Sequence, residues 1–143
     1  LAPLSLGLIN AENPSANKSS SAGTSNVIVL TNASFKKMVF NYEANKEWKY
    51  EGSTPAIIDF YADWCAPCRQ LSPIVEEIAR EYKGKINVYK VDTEKEKLLA
   101  QKLGITGLPT LLFIPAKGNP QVTMGALPKE DLINAIAEIL LIK

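Results

Sequence analysis

Residues 56–62 read Ala-Ile-Ile-Asp-Phe-Tyr-Ala and lead, through Asp63, straight into Trp64-Cys65-Ala66-Pro67-Cys68. A run so nearly apolar fits a strand buried on both faces, and its sheet then needs cover on both sides. Behind the cysteines, Leu71, Ile74, Val75, Ile78, Ala79 and Tyr82 fall at offsets that make one helical stripe. A buried strand therefore hands the chain to an amphipathic helix, with both cysteines at the junction. Pro67 suits the first helical turn. Pro73 falls inside the helix, where it removes one hydrogen bond and is expected to kink the axis. Asp59 stands out as the one charge in the strand.

The rest of the chain supplies the cover. Residues 27–30 are a short β-branched run, followed by Phe35, Met38, Val39 and Tyr42 at helical offsets behind the candidate caps Thr31 and Asn32. Residues 43–54 are rich in charge, with Trp48 and Tyr50 as apolar members, and read as a helix extension plus a loop in which Trp48 serves packing. Residues 86–91 form another expected strand, and 94–103 a short helix closed by Gly104. Residues 110–114 and 121–124 are strands around the turn-rich Pro115-Ala-Lys-Gly-Asn-Pro, which suits an antiparallel pair. From Pro128 the chain is helical again, with Leu132, Ile133, Ala135, Ile136, Ile139 and Leu140 on the expected buried side. The order βαβ, then α, then ββα predicts an α/β fold: a central mixed sheet with helices on both faces.

Composition narrows the chemistry. The 143 residues are 46% apolar, enough for one domain with a proper core. A net charge of +1, without a long basic run or a Gly-rich phosphate loop, gives nucleic-acid binding no support. There is no histidine, so the usual general base and the usual metal ligand are both missing. Cys65 and Cys68 are the only cysteines. A zinc site would need two carboxylates beside them, and a purely structural disulfide across so short a loop constrains the unfolded chain little. What fits is a redox pair at a helix start, its first sulfur facing solvent at the positive helix end and its second one turn behind.

Residues 1–9, Leu-Ala-Pro-Leu-Ser-Leu-Gly-Leu-Ile, are apolar but too short to span a membrane. They resemble the tail of a secretory signal, and Ile-Asn-Ala ending at Ala11 would pass as a cleavage site. Export to a periplasm is the expectation, with a cytoplasmic protein carrying an N-terminal arm as the alternative. Neither cysteine lies near the start, so a lipid anchor has no support. Polar, small residues then run to Asn26 as a linker, which divides the chain into 1–25 and a domain at 26–143.

In order and spacing, several landmarks together resemble the thioredoxin family. Asp59 precedes Cys65 by six residues, Pro73 follows Cys68 by five, Gly107-Leu108-Pro109-Thr110 opens the fourth strand, and Gly125-Ala126-Leu127 precedes the last helix. The resemblance covers residues 26–143 and implies the thioredoxin fold, with about five strands and four helices. Ala66 stands where glycine is commoner, Tyr61 where tryptophan is usual, and residues 43–54 are longer than typical. These departures bear on redox potential and partner choice rather than on the dithiol itself.

The resemblance implies a thiol–disulfide oxidoreductase that needs no cofactor beyond its own Cys65–Cys68 couple. Cys65 would be the nucleophile and Cys68 the resolving thiol. An ordinary thiol, with a pKa of about 8.5, is only about 3% thiolate at pH 7; at about 7, a value general to thioredoxins, half is ionised. That shift corresponds to about 2 kcal/mol, and a helix terminus supplies about 0.3–1 kcal/mol, so hydrogen bonds must add the rest. Without histidine, the proton acceptor for Cys68 would be Asp59 through a water, its buried setting raising its pKa; a structural carboxylate is the alternative. Lys90 would limit that rise, or else be a solvated strand-end lysine. Arg69 could favour thiolate through space, or be a solvated helix charge. Pro109 matches the family's cis-proline, and Trp64, Ala66, Pro67, Leu108, Pro109 and Ala126 would form the rim where an extended substrate docks.

Expected partners are proteins carrying disulfides and an upstream thiol reductase or membrane electron donor, with the chain acting as a monomer. The direction of electron flow stays open. Oxidants and isomerases of the family usually place a histidine between the cysteines, whereas this chain has Ala-Pro, which favours a reductase over an exported oxidase or isomerase. A binding module that holds unfolded chains without redox turnover is the further alternative.

Overall fold

The computed structural model describes residues 25–142. The signal-like stretch, its cleavage site and nearly all of the linker lie outside the described residues. The elements run β1 (Val27–Val29), α1 (Asn32–Met38), β2 (Ala56–Tyr61), α2 (Ala66–Glu81), β3 (Asn87–Asp92), α3 (Lys97–Lys102), β4 (Thr110–Ile114), β5 (Gln121–Met124) and α4 (Lys129–Ala135), which ends in a wide π turn, Ile136–Leu140. The strands make one sheet in the order β1-β3-β2-β4-β5. β3 pairs in parallel with β1 and β2, while β4 runs antiparallel to both β2 and β5. This is the mixed five-strand, four-helix architecture expected from the sequence.

Period-two alternation divides β2 between two cores. Ile57 joins Leu71, Val75 and Ile78 of α2 and Leu132 of α4 on one face of the sheet. Ala56, Ile58 and Phe60 point the other way, onto Phe35 of α1 and Leu99 of α3. By the same alternation Asp59 and Tyr61 share the α2 face with Ile57. The run is apolar throughout because both faces are covered.

Local chemistry explains where the elements stop, and it corrects several boundaries. Thr31 caps α1 in a capping box with Ser34, but the helix ends at Met38 and does not extend into residues 43–54. There the Asn41 side chain accepts from the Glu43 and Ala44 N–H groups, and Glu51 N–H reaches back to the Val39 carbonyl. The segment is a series of turns. Its aromatic residues still reach the core: Phe40 meets the Trp48 ring at a tilt and Tyr50 stacks on Trp48, with centroid separations of 4.9 and 6.4 Å. In α3 the helix starts at Lys97 rather than at Glu94, because Asp92 Oδ1 takes the Glu94 and Lys95 N–H groups into a turn. α2 continues through Pro73 to Glu81.

Two side chains expected to face the core do not. Met38 and Ile133 are 38% and 37% exposed. In the last helix Leu132, Ile136 and Leu140, spaced four apart, form the buried line, and Ile133 is turned away from it by one residue step.

Candidate active site

Cys65 is the N-cap of α2, with extended backbone, and its Sγ accepts the Cys68 N–H at 3.2 Å. The sulfur therefore sits where the first helical N–H groups lack partners and the dipole is positive. Cys65 and Cys68 are joined as a disulfide with their Cα atoms 5.3 Å apart, so the structure is that of the oxidised protein. Here one expectation fails. Cys65 does not face solvent: it is 4% exposed, against 3% for Cys68. Both pack with Ala62 into a small cluster against Tyr61 and Leu108, which covers the first sulfur in the disulfide-bonded state.

Asp59 lies behind the pair, 4% exposed, with Oδ1 buried and without a hydrogen-bond partner. Burial pushes its pKa up to about 7, and the nearby Lys90 charge opposes the rise. Lys90 stands directly across from it in the β2–β3 register. A cavity of about 420 Å³ joins the two to the dithiol: its lining includes Asp59, Lys90, Tyr61 and Cys68, with Arg69 and Ser72 of α2 at its side. A buried carboxyl and the second cysteine thus share one cavity, large enough for water. Arg69 is an exposed brace, donating from Nη1 to the Asp63 carbonyl at 2.8 Å.

Three loops meet around the disulfide. Trp64 is 67% exposed, and Ala66 and Pro67 are also exposed. The Leu108-Pro109 bond is cis, Pro109 is buried, and Leu108 is partly buried against the cysteines. The Pro109 carbonyl accepts the Gly125 N–H at 2.8 Å. Gly125 has φ +95°, which glycine adopts without a Cβ penalty, and exposed Ala126 follows it. A second cavity of about 350 Å³ runs from Trp64 past Thr93, Ala100 and Ile105 to Leu108. Sequence reasoning did not pick out Thr93, Ala100 or Ile105, which carry no reactive group and come from separate elements. Met124 was missed too, although it is 62% exposed and its Sδ lies against Gly107, 2.7 Å from where a Cβ would stand.

No group of three or more His, Cys, Asp or Glu residues is placed to hold a metal ion among the described residues. No described helix is long and apolar enough to cross a membrane. A pair of cysteines three positions apart at the start of a helix, just past the end of the central strand of a five-strand mixed sheet, defines a dithiol–disulfide oxidoreductase.

Comparison with known proteins gives the family. The sequence model of the Thioredoxin family matches residues 26–138. A thioredoxin of Borreliella burgdorferi is 47% identical over 111 residues, covering 78% of this chain and 95% of that one. A thioredoxin of Pyropia yezoensis is 37% identical, covering 75% and 91%. Among solved structures, chloroplastic thioredoxin z superposes with a TM-score of 0.67 at 28% identity, over 79% of this chain and 93% of its own. The chain belongs to the thioredoxin family. It is a protein-disulfide oxidoreductase whose redox group is its own cysteine pair, and its substrates are proteins that carry disulfides.

Proposed function

We propose that this thioredoxin works as a reductant of protein disulfides, with Cys65 as attacker, Cys68 as resolver and Asp59 as proton acceptor. The observation that carries the reading is the cavity in which the buried Asp59 carboxyl and Cys68 meet behind a helix-capping Cys65. In the reduced protein the Cys65 thiolate attacks one sulfur of the substrate disulfide. That S–S bond breaks, a mixed disulfide forms, and the departing substrate sulfur takes up a proton. Cys68 then gives its proton, through water, to the Asp59 carboxylate and attacks Cys65 Sγ. The second substrate thiol leaves, two electrons have passed to the substrate, and Cys65–Cys68 is the disulfide seen here. A carboxyl with a pKa of about 7 is half ionised near neutrality, which suits an acceptor that must reload each cycle.

Trp64, Ala66, Pro67, Leu108, Pro109 and Ala126 form the docking rim in this reading. Lys90 tunes Asp59. An upstream thiol reductase or membrane donor returns the electrons to a monomeric protein, and the apolar pattern of residues 1–9 supports export to a periplasm. The decisive measurement is the equilibrium of the Cys65–Cys68 couple with glutathione. A potential near about −270 mV supports the reductase; one of about −120 to −180 mV overturns it in favour of an oxidase or isomerase. Fractionation of cells expressing the full gene tests export, and sedimentation tests the monomer.

A further inference from the structure

We propose that Tyr61 is a positioning residue for the proton-transfer end of the site: its ring holds the Lys90 ammonium in the cavity beside Asp59. The inference rests on the reading of Asp59 as proton acceptor for its functional meaning, and on geometry alone for its physical content. Lys90 Nζ lies 5.9 Å from the Tyr61 ring centroid, within the range at which a ring face attracts a cation. Tyr61, Lys90, Asp59 and Cys68 all line the same cavity. Tyr61 also packs against the cluster of Ala62, Cys65 and Cys68, so the residue that faces the lysine borders the dithiol as well.

The main chain beneath the ring is fixed. The Tyr61 carbonyl accepts both the N–H and the hydroxyl of Thr93, at 2.9 and 3.0 Å, which ties the end of β2 to the end of β3. Lys90 is only partly buried, and a lysine in a partly open cavity extends its head group towards water unless something holds it. The ring supplies that hold.

Other charges around the cavity are Asp63 from the loop after β2 and Arg69 from α2, the latter engaged with the Asp63 carbonyl. Asp92 stands beside Tyr61 across the β2–β3 register, and β4 presents apolar Leu111 opposite Asp59. Lys90 is thus the cation whose charge acts on Asp59. Burial, then Asp92, Asp63 and Asp59, raise the Tyr61 phenol above its ordinary range. A tyrosine here does what a simple apolar side chain of similar bulk would not.

The test follows the Asp59 carboxyl by ¹³C NMR titration in the oxidised protein. Tyr61→Leu should release Lys90 and move the Asp59 midpoint up by roughly half a pH unit. Tyr61→Phe, which keeps the ring, should leave it unmoved. Lys90→Met should raise the midpoint by itself, and Tyr61→Leu in that background should add nothing. Merely opening the cavity to water would move the midpoint down, so the sign separates the two effects. A Tyr61→Leu midpoint at or below that of the unaltered protein overturns the proposal. Should Tyr61→Leu not fold, the unaltered protein still decides: Lys90 ε-methylene protons shifted upfield by the ring support it, and unshifted ones sink it. The pH profile of disulfide reduction judges the underlying reading separately. If rates ignore an Asp59 midpoint that responds to Tyr61 as stated, Asp59 is not the acceptor, yet Tyr61 still positions Lys90.

Discussion

The two faces of β2 are made by alternate residues of one strand and have opposite characters. Ala56, Ile58 and Phe60 enter a core closed by α1 and α3, with no charged member. Ile57, Asp59 and Tyr61 face α2, and after Ile57 that face turns polar, opening into the cavity beside Cys68. One face holds the sheet together; the other keeps a carboxyl in a setting unfavourable to its charge. The chemistry is thus placed one residue from the best-packed part of the protein, and the rigidity of one face fixes the geometry of the other.

Substitutions on the two faces should therefore separate activity from stability. The largest effect expected is for Cys65→Ser, which should lower dithiothreitol-driven reduction of insulin by at least about a thousandfold. Cys68→Ser should instead trap a mixed disulfide visible by mass spectrometry. Activity on unfolded client proteins that stays intact in Cys65→Ser would favour a binding module. On the closed face, Phe60→Ala should cost about 3–5 kcal/mol in urea unfolding while activity per folded molecule holds. A comparable loss of specific activity would show that the two faces are not separable.

Asp59→Asn sharpens the comparison through pH. The folded protein keeps the Asp59 proton from pH 3.8, the ordinary value, up to about 7, whereas the unfolded chain has already released it. Stability from this group is accordingly greatest below about pH 4, falls as pH rises through that window, and levels off above it. The full difference is on the order of 4 kcal/mol. Asp59→Asn should thus be more stable than the unaltered protein at pH 8 and show no gain at pH 4, while resolving mixed disulfides about a hundredfold more slowly. Denaturant titrations at both pH values that show no difference would remove the burial penalty assigned to the Asp59 charge. The smallest effect is expected at the rim: Trp64→Ala should raise KM for a protein disulfide about tenfold and leave the melting temperature unchanged, as suits a side chain two-thirds exposed.

Much of this organisation was legible beforehand. Short apolar and β-branched runs placed the five strands and apolar stripes at helical offsets the helices, because a strand covered on both faces and a helix covered on one each leave that mark in sequence. What failed did so for local or cooperative reasons. Asp92 and Asn41 accept backbone N–H groups and hold the chain in turns where composition alone allowed helix. Ile133 is apolar and adjacent to the buried line, and only the rotation of α4 on the sheet decides that it faces outward. Thr93, Ala100 and Ile105 became cavity walls by juxtaposition, which leaves no mark on local sequence.

By itself the sequence determined the dithiol, its place at a helix start, the α/β class and the carboxylate one strand behind, since each depends on neighbours within a few residues. Tertiary structure decided that Cys65 is covered in the oxidised state, that Asp59 and Cys68 share a cavity, and that Lys90 lies over the Tyr61 ring. These depend on which strands pair and how α2 docks, contacts between residues far apart in the chain. The pKa of Asp59 belongs to the second class as well, because burial is a property of the packed molecule and not of the residue.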